Sequence, residues 1–206
     1  MKKFLFSLTV LTLVAGSARA ATVTIFDNMN RTNPPVTYNC CQGFGIEGQQ
    51  NIGAGPLVAV AVAFTPHVSA NLTEIDLPIS YYSGTNAITV ALYTDQLDAP
   101  GSIVKTWTFA NLSSFNTCCT YLAATSPGTR VYAGRKYWVV VRTNFNMLNT
   151  TVVWNLNATD PTTPMEYSRY CSSNPQGLAC PASWGNNQWI SQPFAPGLAM
   201  AIFGQV

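Results

Sequence analysis

Beyond residue 21 the apolar positions of this chain recur mainly with period two, the spacing of strands with one buried face. Residues 22–26 open the series. Residues 57–64 are a near-continuous apolar run, the signature of a strand buried on both faces, and Pro66 stops it. Over 72–80, Ile75, Leu77 and Ile79 alternate with Glu74 and Asp76, which places the two acids outward. Over 87–93, Ile88, Val90 and Leu92 alternate with Thr89, Ala91 and Tyr93. A turn at 98–102 leads to a strand at 103–109, and β-branched and aromatic residues mark strands at 136–143 and 151–157. A last strand is expected at 198–203. No segment repeats at a helical period. Gly and Pro recur often, and the polar remainder is rich in Asn, Ser and Thr, a composition suited to short strands joined by turns. The pattern predicts an all-β fold of eight or nine strands, a two-sheet antiparallel sandwich of jelly-roll type.

The first twenty residues break this pattern. Lys2 and Lys3 precede an apolar run of about eleven residues, too short for the roughly 20 that span a bilayer. Small residues follow, with Ala18 and Ala20 at the positions that flank a cleavage site. Residues 1–20 read as a secretory signal peptide of bacterial type cut after Ala20, leaving one domain at 21–206 that is secreted or extracellular. Charged residues are only 9% of the chain. Three of the ten basic residues, Lys2, Lys3 and Arg19, lie in the leader, so the remainder carries seven basic residues against eight acidic ones. Without a basic excess or cluster, neither a nucleic-acid partner nor membrane insertion is expected.

Export changes the reading of the six cysteines, since thiols pair in an oxidising compartment. Cys171 and Cys180 bracket a turn-rich stretch and are expected to pair locally. Cys40, Cys41, Cys118 and Cys119 form two adjacent doublets with three possible connectivities. A bridge between doublets closes a loop of about 78 residues and stabilises by roughly 4–5 kcal/mol on the chain-entropy view, whereas a bond between neighbours closes almost nothing. The crosslink between doublets is therefore expected. Two parallel bridges need irregular backbone there, because neighbours in a regular strand face opposite ways. Zinc spacing is absent, and His67 is the only histidine.

The stretches YNCCQGFGI (38–46), AVAFTP (61–66), LTEIDLPIS (72–80), ITVALYTDQLDAPGS (88–102), NTCCTY (116–121), AGRKYWVVV (133–141) and VVWNLN (152–157) together resemble the bacterial secreted domains called choice-of-anchor R. The resemblance covers about 120 residues and implies a fold and an exterior location, with no established catalytic residues. Such domains often precede a surface-sorting tail of the PEP-CTERM type. This chain ends at its last strand, which leaves a covalent anchor without support.

The candidate chemistry favours binding over catalysis. A hydrolytic triad has only His67 as base, at a strand end and beside no G-x-S-x-G turn. A glycosidase needs two carboxylates across a cleft; Glu74 with Asp76 is the nearest pair, and alternation reads them as a solvent face. Asp95 and Asp98 are weak candidates for a structural calcium and otherwise turn residues; no other cofactor is expected. Carbohydrate recognition uses aromatic faces with neutral amides beside them. Two loops carry these: Tyr81 and Tyr82 ahead of Ser83–Asn86, and Trp184 and Trp189 around Gly185, Asn186, Asn187 and Gln188. Trp107, Trp138 and Trp154 lie in strand patterns and read as core. The function expected is an exported, non-catalytic binding or display domain whose partner is a glycan or another cell-surface component. The alternative is a structural envelope or matrix protein with no small ligand, and a glycoside hydrolase ranks third.

Overall fold

A computed structural model of the chain describes residues 20–29, 38–48, 57–117, 121–143, 149–158, 167–172, 188–191 and 197–206. The described residues form thirteen strands and no helix: β1 (Thr22–Asp27), β2 (Tyr38–Glu47), β3 (Leu57–Phe64), β4 (Ala70–Leu77), β5 (Ile79–Ser83), β6 (Ala87–Asp95), β7 (Pro100–Ala110), β8 (Leu122–Val131), β9 (Tyr137–Arg142), β10 (Thr151–Asn157), β11 (Tyr167–Ser172), β12 (Gln188–Ser191) and β13 (Ala201–Gln205). They build two antiparallel sheets. The smaller has the order β1-β13-β4-β8; the larger runs β5-β10-β2-β3-β9-β6-β7, with β11 on β3 and β12 on β11.

Alternation explains the larger sheet residue by residue. In β3, Val58, Val60, Val62 and Phe64 belong to the main core, whereas Ala61, with Ala63 beside it, packs on the opposite side with Trp138 and Val140 of β9. Ile88, Val90 and Leu92 of β6 and Val139 and Val141 of β9 complete the inward face. Ala61, Ala91 and Trp138 are also fully buried, so the middle of this sheet is dry on both faces. That is why 57–64 reads as an unbroken apolar run. Each such Val or Leu taken out of water contributes about 1.5–3 kcal/mol.

The smaller sheet supplies Ile25, Leu72, Ile75, Leu77, Ala124, Val131 and Ile202 to the same core. Leu72 and Ile75 bury together despite their odd spacing because the pairing slips from Gly204↔Leu72 to Phe203↔Glu74, which makes Thr73 a bulge. Asp76 departs from the expected outward face: it is fully buried. It lies across from Ala201, which packs with Met29, Tyr38 and Ala199 in a second apolar cluster on the side that alternation assigned to water.

The predicted strand at 72–80 is two strands. Pro78 cannot donate to a ladder, and the chain changes sheets there: Leu77 pairs with Leu122 in the smaller sheet, Ile79 with Trp154 in the larger. Buried Asn155 holds the crossing, its backbone N–H and its Nδ2 both donating to the Pro78 carbonyl, at 3.0 and 2.9 Å. The turn expected at 98–102 lies at Gln96–Ala99 instead, and β7 starts at Pro100. Strands β2, β8, β11 and β12 have no counterpart in the sequence reading. The leader lies outside the described residues.

Candidate functional site

Tyr81 and Tyr82, expected in a loop, stand in β5 at one end of the larger sheet's strand order. Segment 111–117 docks beside them: Tyr81 N–H donates to Ser113 O at 2.8 Å, and Phe115 N–H to Tyr81 O at 2.7 Å. Asn111 and Asn116 hold φ of 58° and 68°, left-handed values that Asn tolerates better than most residues. The next turn is fixed more tightly. Gly84 sits at φ 82°, where a Cβ would come 1.8 Å from the Asn149 carbonyl oxygen. Thr85 Oγ1 donates to Asn149 Oδ1 at 2.8 Å, and Thr150 Oγ1 to Thr85 O at 2.7 Å. Asn86 exchanges two bonds with the Leu112 backbone, its Nδ2 donating at 2.9 Å and its Oδ1 accepting at 2.8 Å.

The two tyrosines then differ. Tyr81 packs against the core and donates its hydroxyl to Gly84 O at 2.8 Å. Tyr82 is 63% exposed, its ring edge-on to Phe115 with centroids 5.9 Å apart. Thr85, Ser114, Asn116 and Asn149 are exposed around this end. Residues 77–94, 106–117 and 149–158 contain no charged side chain. The surface is therefore an aromatic face flanked by hydroxyls and amides from uncharged segments; among the described residues, the charged ones at this end of the sheet are Glu47 of β2, paired with Thr151, and Arg142 of β9, paired with Thr89. Sequence reasoning missed Phe115 and Asn149; a single aromatic amid the turn residues of SSFNT was the one available signal.

Of the other aromatic candidates, Trp189 is on β12, partly buried against Ala61, Trp138 and Val140. The strand order sets β10, β2, β3 and β11 between it and β5, so the two aromatic groups do not share a neighbourhood. Trp184, Asn186 and Asn187 lie outside the described residues. Trp138 and Trp154 are fully buried, as their strand positions predict. Trp107 is partly buried and joins the sheets at one edge, its Nε1 donating to Thr125 O of β8 at 2.7 Å.

Asp95 ends β6 and Asp98 lies within the β6–β7 turn, each with an N–H donor on Oδ1: Trp138 Nε1 at 2.7 Å for Asp95, Lys136 Nζ at 2.8 Å for Asp98. Among the described residues no three His, Cys, Asp or Glu side chains gather as a metal site. His67 is exposed just beyond β3. Glu74 and Asp76 do not form the solvent-facing pair that alternation suggested, since Asp76 is buried. Burial raises the pKa of Glu47, on β2, above the usual carboxylate value.

Of the cysteines, only Cys40 has its side chain among the described parts. The backbone at its doublet is irregular: pairing of β10 with β2 jumps from Asn155↔Gly43 to Leu156↔Asn39, so Cys40, Cys41 and Gln42 bulge from the ladder. Cys171 pairs in register with Val58, its side chain undescribed. Cys118, Cys119 and Cys180, and with them the expected bridges, lie outside the described residues.

Comparison of the chain with protein-family models, with curated proteins and with solved structures finds no match.

Proposed function

We propose that this protein is an exported, non-catalytic binding domain, a disulfide-stapled sandwich of jelly-roll type that offers the aromatic turns around Tyr82 to carbohydrate at the cell exterior. The observation that carries the reading is Tyr82, exposed yet held edge-on by Phe115 in a network of turn hydrogen bonds. A ring fixed in advance loses little conformational entropy on stacking against the apolar face of a sugar. The exposed Thr85, Asn116 and Asn149 suit hydroxyl groups, and the absence of charge from the segments around Tyr82 suits a neutral glycan. The motif likeness to choice-of-anchor R domains supports the exterior location. In this reading Trp189 is a structural side chain, because its indole packs on Ala61, Trp138 and Val140. No cofactor is required.

A glycan array probed with the protein and with Tyr82→Ala tests the proposal. Wild type is expected to retain a neutral oligosaccharide, and the variant to lose about tenfold or more in affinity while melting within about 2 °C of wild type, as a surface change should. Absence of any retained glycan, or equal binding by the variant, rejects it in favour of a structural envelope or matrix role.

A further inference from the structure

Strand β6 runs from the aromatic turns around Tyr82 to a second, charge-rich set of connections. It begins beside the uncharged turns, with Ala87 N–H donating to Thr85 O, and ends at Asp95. At about 3.3 Å per residue its nine residues separate the two by roughly 26–30 Å. Charge gathers at the far end. Arg130 near the end of β8 and Arg135 and Lys136 of the β8–β9 connection fall within seven residues, and Lys136 bonds Asp98 of the β6–β7 hairpin. The guanidinium of Arg135 lies 4.9 Å from the centroid of the Tyr132 ring, and that of Arg130 lies 5.8 Å from it.

Between the two connections is an open cleft of about 320 Å³ lined by Thr94, Asp95, Arg135, Lys136 and Tyr137. Its groups are pre-positioned. Asp95 is aimed by the indole N–H of the fully buried Trp138, which occupies Oδ1 at 2.7 Å and leaves Oδ2 as an acceptor. Lys136 is tied to Asp98 at 2.8 Å. Arg135 is exposed and pairs with no carboxylate among the described residues, so its planar fork of donors is available to an anion.

We infer that this cleft is a second binding site, for a sugar acid of the uronate class, with the ligand carboxylate on Arg135 and adjacent hydroxyls donating to Asp95. The pairing follows from charge. A phosphate dianion meets the Asp95 carboxylate as a repulsive neighbour, and a bare metal cation meets Arg135 and Lys136. A neutral sugar leaves the Arg135 guanidinium partly desolvated with no counter-charge. A sugar unit that carries one carboxylate and hydroxyl donors satisfies both groups. The site is independent of the Tyr82 surface, so either can fail alone.

Calorimetric titration of the protein with trigalacturonate, with neutral galactotriose and with inorganic phosphate tests the assignment. Trigalacturonate is expected to bind more tightly than the other two probes, and added salt is expected to weaken it. Arg135→Gln and Asp95→Asn should each reduce affinity by about tenfold or more, with Tyr82→Ala without effect. Asparagine keeps an oxygen for the Trp138 indole, and thermal melting verifies that each variant folds; should Asp95→Asn fail to fold, the exposed Arg135→Gln decides. The inference is overturned if trigalacturonate does not bind, if galactotriose or phosphate binds Tyr82→Ala, in which the first surface is disabled, as well as trigalacturonate does, or if folded Arg135→Gln binds like wild type.

Discussion

Gly84 shows how one residue can hold the turns around Tyr82 together. Its φ of 82° and the Asn149 carbonyl packed against it leave no room for a side chain. Gly84→Ala must move the Asn149 backbone as well as strain its own, so a loss of about 1–3 kcal/mol or more is expected, read as a fall in Tm of several degrees. An unchanged Tm contradicts the tight approach. Glu47 acts on stability in the opposite sense to a paired carboxylate. Its folded pKa is raised by burial, so between the unfolded value and that raised value the folded state binds more protons and stability falls as pH rises. Glu47→Gln removes a charge that the fold disfavours. Its Tm should exceed that of wild type at pH 7, and the difference should shrink as pH falls below the unfolded carboxylate value. A constant difference at every pH refutes the assignment.

At the scale of elements, the strands that were legible and those that were not differ in physical kind. β3, β6, β9 and β10 are central strands whose inward faces repeat evenly, and their residues announce them. β2 and β8 are interrupted. β2 carries Gly43, Gly45 and the cysteine bulge, and β8 slips register across the stretch containing Pro127 and Gly128. Bulges break period two, so alternation cannot find such strands. The β6–β7 turn was misplaced for a related reason. Pro and Gly at 100 and 101 suggested a turn, yet Pro suits the first residue of an edge strand, and the tight connection is Leu97-Asp98, both at positive φ between reciprocal Gln96 and Ala99 backbone bonds. Leucine is poorly suited to that conformation and here is 94% exposed. Leu97→Asn should stabilise by about 0.5–1 kcal/mol, raising Tm by about 2–4 °C; a lowered Tm shows that Leu97 has a packing role.

Along β6 the molecule changes character, from aromatic turns that carry no charge themselves to the Arg135, Lys136, Asp95 and Asp98 cluster, with a core between sheets that no single segment can build. A long-range crosslink between the two cysteine doublets is predicted to tie this unit together. The first doublet has the irregular backbone that parallel bridges require, and the second lies just ahead of β8, whose Leu122 pairs with Leu77 in the smaller sheet. Peptide mapping without reduction should therefore recover residues 40–41 linked to 118–119. The loop-closure gain of about 4–5 kcal/mol should make reduction lower Tm sharply. Recovery of the two doublets on separable peptides discards the staple.

By itself the sequence determined the β class, the antiparallel sandwich and the inward residues of the central strands, because burial on one face imposes a period that a local window can read. It also supplied Tyr81 and Tyr82 as aromatics beside turn residues. Only the tertiary structure decided that Tyr82 is exposed while Tyr81 is packed, that Phe115 and Asn149 join them, that Asp76 is buried, and that Arg135 and Asp95 line one cleft. These depend on strand order and on a change of sheets at Pro78, and contacts between residues dozens of positions apart leave no periodic trace along the chain.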